Sequence, residues 1–401
     1  MMETRRPKLR WPGFNELWER NRLGKISKLF SGGTPSSSQS NLYGGEIPFI
    51  RSGEINSTTT ELFLTEKGLM ESSAKMVNKG DLLYAIYGAT SGEVAISKIR
   101  GAINQAILCI RPDIEKEFLK NWLLVNKEKI LNKFLQGGQG NLSGEIVKSL
   151  EVCYPSLPEQ QKIASFLSSV DERIELLERK KEKLEAYKKG VMQQIFTQQI
   201  RFKQDDGSEF PDWEEKRLGE VVKVQGGFAF KSEKFKQTGI PVIRISNISN
   251  NNNFIETENL VFYDTIKNDV NFTINKGDLL IAMSGATTGK SSIYNLNDKA
   301  YLNQRVGLFK RKSKSLCYAF LIQFVFSTMF KNQLKSLLVA GAQPNISSSD
   351  IESIKISLPE FEEQEKIAAF LNTIDENLET LDSQIQGLRT WKKGLLQQMF
   401  V

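Results

Sequence analysis

Apolar residues recur at alternating steps of four and three in two long segments of the chain. This spacing places them along one side of an α-helix, at the a and d positions of a heptad repeat. A helix of about 38 residues is roughly 57 Å long, which is more than the core of a small domain needs. The pattern therefore predicts two long helices that pack on each other. The packing residues are Ile163, Leu167, Val170, Ile174, Leu177 and Leu184 in the first segment and Ile367, Leu371, Ile374, Leu378, Leu381, Ile385 and Leu388 in the second.

The remaining chain alternates short β-branched or aromatic runs with clusters of Gly, Asn and Ser, a pattern typical of strands and turns. Two longer apolar stretches, near Phe118–Leu135 and Cys317–Leu338, indicate helices. The globular parts are therefore expected to be mixed α/β. The predicted strands are Ile47–Ile50, Leu82–Tyr87, Val94–Ile96, Ile103–Ile110, Val242–Ile245, Leu279–Met283 and Arg305–Phe309.

Comparison of the chain with itself shows an internal repeat that covers both halves of the sequence. Arg22-Leu23-Gly24 returns as Arg217-Leu218-Gly219, and Glu159-Gln160 returns as Glu363-Gln364. The offset between the copies drifts in the globular parts, as expected where loops differ in length. Between the heptad segments it stays fixed, which indicates an element of constant length.

These patterns together predict an α+β protein with two mixed α/β globular domains in tandem, each followed by a long helix. The two helices are expected to form an antiparallel coiled coil with pseudo-two-fold symmetry. The predicted bounds are 1–158 for the first globular domain, 159–200 for the central helix, 201–358 for the second globular domain and 359–401 for the distal helix.

The amino-acid composition excludes several kinds of catalytic and metal-binding site. The sequence has no histidine, which excludes catalysis by an imidazole base and histidine-dependent metal sites. Its three cysteines form no C-x-x-C pair, and no signal peptide or membrane span is recognisable, so we expect no metal site and a cytoplasmic location. Residues 1–158 and 201–359 each carry 21 basic and 16 acidic groups, net +5. Two basic domains suit a polyanion such as DNA, and equally fit a merely soluble basic protein.

One motif imitates a nucleotide-binding P-loop. Ser284-Gly285-Ala286-Thr287-Thr288-Gly289-Lys290 has three residues between its glycines, whereas a P-loop needs four. Its copy, Gly88-Ala89-Thr90-Ser91-Gly92-Glu93, has a carboxylate in place of the lysine. We therefore predict a turn rather than a nucleotide site. The glycines would bring the backbone close either to the protein's own fold or to a DNA backbone.

Several other polar residues could contact bases. Gln and Asn side chains in the loops before each long helix either recognise adenine or serve as ordinary turn residues. Arg51 and Arg244 either form ion pairs within their domains or contact guanine or phosphate. The candidate DNA-binding residues are Arg51, Ser52, Tyr87, Gly88, Ala89, Thr90, Ser91, Asn104, Gln105, Gln139, Asn141, Arg244, Ser284, Gly285, Ala286, Thr287, Thr288, Lys290, Asn303, Gln304, Gln343 and Asn345.

The helical segments carry a specific resemblance. Each opens with P-x-x-x-E-Q-x-K-I-A-x-F-L-x-x-[VI]-D-E, from Pro155 and from Pro359, and closes with [YW]-K-K-G-x-x-Q-Q-x-F. With the globular domain before each helix, the chain closely resembles the specificity subunit of type I restriction–modification enzymes. The resemblance covers essentially the whole chain.

The resemblance implies that each globular part is a target recognition domain that recognises one half of a split, asymmetric DNA sequence. The helix pair would set the spacing and dock two modification subunits, which use S-adenosylmethionine to methylate adenine. Two restriction subunits using ATP and magnesium would complete the complex. The chain itself would bind no cofactor or metal and catalyse nothing.

Two other functions fit parts of the pattern. The long helices could recruit protein partners to a structural adaptor whose globular parts bind protein or RNA. Alternatively, the chain could be a stand-alone bivalent DNA-binding regulator. Sequence-specific duplex binding that sharpens when a methyltransferase is added would separate the specificity subunit from both.

Overall fold

In the computed structural model, which describes residues 6–135, 141–249, 253–267, 269–340 and 345–401, the chain forms two compact units. The first unit comprises Met1–Glu178 and Ser383–Val401, and the second comprises Arg179–Asp382. The predicted bounds follow the elements of the chain, whereas each compact unit combines one globular part with portions of both long helices.

The first unit begins with a mixed region of strands and short helices and continues into a long helix. Its strands are β1 (Glu19–Arg22), β2 (Ser27–Ser31), β3 (Tyr43–Ile50), β4 (Leu62–Leu64), β5 (Lys75–Val77), β6 (Leu82–Ala85), β7 (Val94–Ile96), β8 (Gly101–Ile103), β9 (Ile107–Pro112) and β10 (Glu151–Tyr154). Its helices are α1 (Glu66–Met70), α2 (Lys116–Leu135), α3 (Gly144–Ser149) and the first part of α4 (Leu157–Phe196).

The second unit repeats the order of the strands, whereas its short helices differ. Its strands are β11 (Glu214–Arg217), β12 (Val222–Gly226), β13 (Ile240–Ile243), β14 (Val261–Tyr263), β15 (Thr273–Ile274), β16 (Leu279–Ala282), β17 (Ser291–Ile293), β18 (Ala300–Leu302), β19 (Val306–Arg311) and β20 (Lys355–Leu358). Its helices are α5 (Leu218–Val221), α6 (Tyr318–Phe326), α7 (Thr328–Ala340), α8 (Ser348–Glu352) and the first part of α9 (Phe361–Met399).

Over the residues that the structure describes, each unit contains two four-stranded sheets and one two-stranded sheet. The strand orders are β2-β9-β6-β7 and β4-β3-β8-β5 in the first unit, and β12-β19-β16-β17 and β14-β13-β18-β15 in the second. The pairs β3–β8 and β13–β18 are parallel, and the other pairs within these sheets are antiparallel. The same topology in both units confirms the predicted duplication of a mixed α/β domain.

Two predicted elements are divided in the structure. The run Ile103–Ile110 forms two strands in different sheets, because Asn104 makes a turn in which its Oδ1 accepts from the Ala106 N–H at 3.1 Å. The stretch Cys317–Leu338 forms two helices, because Ser327 is extended (ψ 157°). The Ser327 hydroxyl then accepts from the Phe330 N–H at 3.2 Å and caps α7.

The heptad positions form the apolar seam of the two long helices, as predicted. Ten of these side chains are buried, and Leu184, Leu378 and Leu388 are half-buried. The buried ones are Ile163, Leu167, Val170, Ile174, Leu177, Ile367, Leu371, Ile374, Leu381 and Ile385. The start of each helix belongs to a globular core: Ile163 and Leu167 lie in the core of the first unit, and Ile367 and Leu371 lie in that of the second.

Ion pairs fix the direction of helix packing within each unit. In the first unit Asp171 pairs with Lys392 and Glu178 with Arg389, both at 2.5 Å. Moving forward along α4 thus means moving backward along α9, so the helices are antiparallel. The second unit shows the same order, with Lys181 on Asp382 at 2.6 Å and Lys188 on Asp375 at 2.5 Å.

The Glu-Gln pair that opens each helix ties it to the globular part. Glu363 is fully buried and accepts from the Arg201 guanidinium at 2.8 Å and from the Trp213 indole N–H at 3.0 Å. The neighbouring Gln364 side chain accepts from the Cys317 N–H at 2.7 Å. In the first unit, Glu159 accepts from Arg10 at 2.6 Å. These buried polar contacts explain why both copies begin with Glu-Gln.

Candidate nucleic-acid interface

The motif Gly-Ala-Thr-x-Gly forms the turn between β6 and β7, and again between β16 and β17. Gly88 and Gly92 have φ angles of 70° and 83°, and Gly285 and Gly289 have φ angles of 80° and 81°. Glycine adopts this left-handed region without the steric penalty that other residues incur. The shape of the turn therefore requires glycine at both ends of the motif.

The last glycine also allows close packing. A Cβ atom at Gly289 would lie 2.8 Å from a methyl carbon of Leu334 in α7, and one at Gly92 would lie 3.0 Å from Cγ of Lys127 in α2. A Cβ atom at Gly88 would meet nothing within 4 Å. Approach to the protein's own fold thus accounts for the last glycine, whereas Gly88 and Ala89 face outward and are exposed.

Three polar segments meet at one end of the first unit. The Ile86 N–H donates to the Ala106 carbonyl at 2.9 Å, which joins the glycine turn to the turn between β8 and β9. The Gly88 N–H donates to Oδ1 of Asn141 at 3.3 Å, which adds the loop before α3. These contacts assemble the first polar edge. It comprises Tyr87, Gly88, Ala89, Thr90, Ser91, Asn104, Gln105 and Asn141.

The second unit assembles the equivalent segments by the same backbone contacts. The Met283 N–H donates to the Arg305 carbonyl at 2.9 Å, and the Ile346 N–H donates to the Met283 carbonyl at 2.9 Å. They enclose a cleft of about 300 Å³ lined by Met283, Ser284, Gln304, Arg305, Asn345 and Ile346. The second polar edge comprises Ser284, Gly285, Ala286, Thr287, Thr288, Asn303, Gln304, Arg305 and Asn345, and Lys290 follows it.

The polar groups at these edges divide into two kinds. The threonine hydroxyls bond within the protein: Thr90 donates to the Tyr87 carbonyl at 3.3 Å, and Thr287 to the Ile245 carbonyl at 2.9 Å. They stabilise the turns. Ser91 and Ser284 are buried. The exposed side chains are those of Tyr87, Gln105, Asn141, Lys290, Gln304, Arg305 and Asn345.

Arg51 lies beside the first polar edge but is held by carboxylates. The Asn104 N–H donates to the Ile50 carbonyl at 3.3 Å, which places Arg51 and Ser52 next to the polar edge. The Arg51 guanidinium donates to Glu54 at 3.1 Å and to Glu61 at 2.5 Å. Hydrogen bonds to these two carboxylates raise the pKa of Arg51 above its ordinary value. Of the two roles considered from the sequence, this geometry favours the internal ion pair.

Arg244 occupies the equivalent position in the second unit and has different partners. Its guanidinium donates to the Asn259 carbonyl at 3.0 Å and lies 5.7 Å from the centre of the Phe235 ring. Neither contact neutralises its charge. The two arginines that look alike in the sequence therefore differ electrostatically, and Arg244 keeps a positive charge beside Asn303, whose N–H donates to the Ile243 carbonyl at 3.0 Å.

Arg305 is a member of the second polar edge that the sequence analysis did not select. It is exposed, and among the residues that the structure describes its guanidinium has no hydrogen-bond or ion-pair partner. The two copies of the repeat differ at this position, which could have identified Arg305 from the sequence. Arg305 directly follows Asn303-Gln304, whereas alanine follows Asn104-Gln105.

Two selected residues, Gln139 and Gln343, lie outside the described residues, so their positions stay predictions. Over the described ranges, no group of three or more Cys, Asp or Glu residues is arranged to hold a metal ion. None of the helices in those ranges has the length and apolarity needed to cross a membrane.

Comparison with known proteins agrees with this architecture. The family model described as the type I restriction modification DNA specificity domain matches twice, over residues 15–186 and 211–388. The MjaVIII specificity subunit of a type I restriction enzyme from Methanocaldococcus jannaschii is 28% identical over 395 residues, covering 95% of this chain and 91% of that protein.

Solved structures show the same fold. The type I restriction–modification S subunit from M. genitalium superposes with a TM-score of 0.65 at 16% identity, covering 99% of both chains. A chain from a structural study of assembly and conformational transition in a type I system gives 0.55 at 18% identity, covering 97% of this chain and 98% of that one. Two matches to the family model, which span most of the sequence, place the chain in the type I restriction–modification specificity family, as a subunit for DNA recognition.

Proposed function

We propose that each polar edge recognises one half of a bipartite, asymmetric DNA target. The observation that supports this most directly is that one scaffold is built twice with different side chains at its edges. Exposed Tyr87 of the first edge corresponds to buried Ser284 of the second, and buried Ala106 corresponds to exposed Arg305. Because the backbone contacts are shared and the side chains differ, the two edges suit two different base sequences.

The exposed groups have the chemistry of direct base recognition. Arginine donates two hydrogen bonds to guanine in the major groove, and glutamine or asparagine makes a matching pair with adenine. The second edge presents Arg305 and Gln304, whereas the first presents Gln105 and Asn141. Basic residues in both globular parts would supply the sequence-independent attraction to phosphates.

We further propose that the long helices set the distance between the two half-sites. Two modest contacts held at a fixed separation reinforce each other through effective concentration, and a wrong separation forfeits one of them. Constant helix length in both copies supports this role. The same helices would dock two modification subunits, and two restriction subunits would join the assembly.

Bond-making chemistry would belong to those partners. We propose that the modification subunits use S-adenosylmethionine to methylate adenine and that the restriction subunits use ATP and magnesium. The chain itself would be non-catalytic. Its sequence has no histidine, and the polar edges present amide, hydroxyl and guanidinium groups rather than a general base beside a nucleophile.

The proposal is tested by matched substitutions at the two edges. Arg305→Ala should relax discrimination at one position of the second half-site by about 1–3 kcal/mol, because it removes a bidentate donor. Gln105→Ala should do the same in the first half-site. Both are read by mapping methylated adenines in DNA modified by the chain with its methyltransferase partner.

Each variant serves as the control for the other. The half-site that is not touched should keep the wild-type preference, since the two edges lie in separate units. A change in both half-sites from Arg305→Ala alone, or an unchanged pattern from both variants, would argue against the assignment of one edge to each half-site.

A further inference from the structure

A cavity of about 500 Å³ in the second unit lies between the glycine turn and helix α7. Thr288, Gly289 and Lys290 line it from the turn, and Lys331 and Lys335 line it from α7. The charged residues in its lining are all lysines. Val325, Phe326, Leu334 and Leu338 also line it, so the cavity combines positive groups with apolar side chains.

Lys331 and Lys335 are four residues apart and share one face of α7. In the part of the chain that the structure describes, neither ammonium group has a hydrogen bond or an ion pair. Lys331 is exposed, and its partial desolvation together with the charges of Lys188 and Lys189 lowers its pKa below the ordinary value. Lys188 is paired with Asp375, whereas Lys331 and Lys335 have no such partner among the described residues, so an anion would offset the positive charge that remains.

The first unit lacks this feature at the equivalent place. Glu93 takes the position of Lys290 after the glycine turn, and it pairs with Lys127 of α2 at 2.5 Å. A carboxylate therefore already neutralises Lys127, the lysine of α2 that packs against this turn. Because the duplicated fold is the same, the excess of positive charge comes from substitutions in the second copy.

We propose that Lys331 and Lys335, beside Lys290, bind a backbone phosphate of DNA. The inference rests on the proposed function, in which bases contact the second polar edge. One turn contributes Ser284 to the base-facing cleft and Thr288 and Lys290 to this cavity, so a strand that follows the turn meets both. Lysine contacts to phosphate position the duplex and carry no sequence information.

The test uses the full chain in complex with its methyltransferase partner and compares wild type with Lys331→Gln/Lys335→Gln. Duplex affinity is measured over a range of salt concentrations for the target and for a duplex altered in the second half-site. We expect the salt slope to fall by about 1, and affinity at 0.1 M salt to fall roughly 10-fold, by the same factor for both duplexes.

The matched control is Glu93→Gln/Lys127→Gln, which removes a neutralised pair from the equivalent turn and helix and should leave the slope unchanged. An unchanged slope in the Lys331/Lys335 variant would overturn the inference. A loss confined to the duplex with an intact second half-site would also overturn it, because that result indicates base recognition.

Inorganic phosphate separates a DNA contact from a site for small anions. If phosphate raises the unfolding temperature of wild type but not of the lysine variant, while the DNA salt slope is unchanged, the cavity binds free anions and the DNA assignment is wrong. Failure of the wild-type complex to discriminate the two duplexes would instead contradict the proposed function, and the inference with it.

Discussion

Removing one heptad from each long helix should shorten the gap that the target requires between its half-sites. Deleting residues 178–184 from α4 and residues 379–385 from α9 keeps both apolar seams in register. It removes Lys181 together with its partner Asp382, removes Glu178 from its pair with Arg389, and retains the pair of Lys188 with Asp375. Seven helical residues span about 10.5 Å, which corresponds to at most about 3 base pairs of duplex.

The measurement is adenine methylation of a plasmid library in which the two half-sites are separated by every gap up to about one and a half helical turns. The control is Glu178→Gln/Lys181→Gln/Asp382→Asn, which loses the same two ion pairs at full helix length and should keep the wild-type gap. A shortened, folded variant that still requires the wild-type gap would show that the helices do not set the spacing.

Replacing Glu363 with alanine should markedly destabilise the second unit. Its carboxylate is fully buried and accepts from Arg201 and from the Trp213 indole. Removing it leaves the indole N–H without its acceptor, while the largely buried Arg201 retains the Pro211 carbonyl at 2.6 Å and Asp212 at 3.7 Å. Breaking a buried pair costs about 3–5 kcal/mol when the remaining charge has no other partner, so we expect a loss near the lower end of that range, measured as a lower urea midpoint for the second unit.

Asp205→Asn is the control for this experiment. It removes a solvent-facing ion pair whose lysine, Lys366, lies on the same helix as Glu363. Asp205 is exposed and pairs with Lys366 at 2.5 Å, so its substitution should change stability by no more than about 1 kcal/mol. Glu363→Gln, which keeps an acceptor, should fall between the two. Equal midpoints for Glu363→Ala and Asp205→Asn would contradict the view that the buried pair anchors the helix.

Local patterns in the sequence predicted those parts of the fold that depend on near neighbours along the chain. The heptad spacing identified the seam, since a helix with residues every three or four positions must bury that face. The glycines of Gly-Ala-Thr-x-Gly identified the turn, since two of its positions require positive φ. The repeat identified two equivalent domains because both copies kept the same order of motifs.

Contacts between distant residues were beyond such patterns. The pair of Arg10 with Glu159 joins residues 149 positions apart, and nothing local distinguishes that arginine. Arg51 looked available for DNA until the structure placed Glu61 against it. The break at Ser327 was hidden because apolar residues flank it on both sides, and only its hydroxyl, which caps the next helix, marks the boundary.

The candidate site was predicted in part for the same reason. The segments that form each polar edge were recognisable as repeated polar turns. Their assembly depends on hydrogen bonds between backbone groups, such as Met283 with Arg305, that the sequence does not encode locally. Similarity between the two copies does not mark Arg305, because alanine stands at the equivalent position. Positions where the copies differ are those where two unlike half-sites would be distinguished.

The most direct test is a map of every methylated adenine in DNA from cells that express this chain with its modification partner. Two unlike base sequences on either side of a constant, unspecified gap, with both strands methylated, is the pattern expected from two different polar edges on a scaffold of fixed length. A continuous motif, or one half-site repeated as a palindrome, would contradict it.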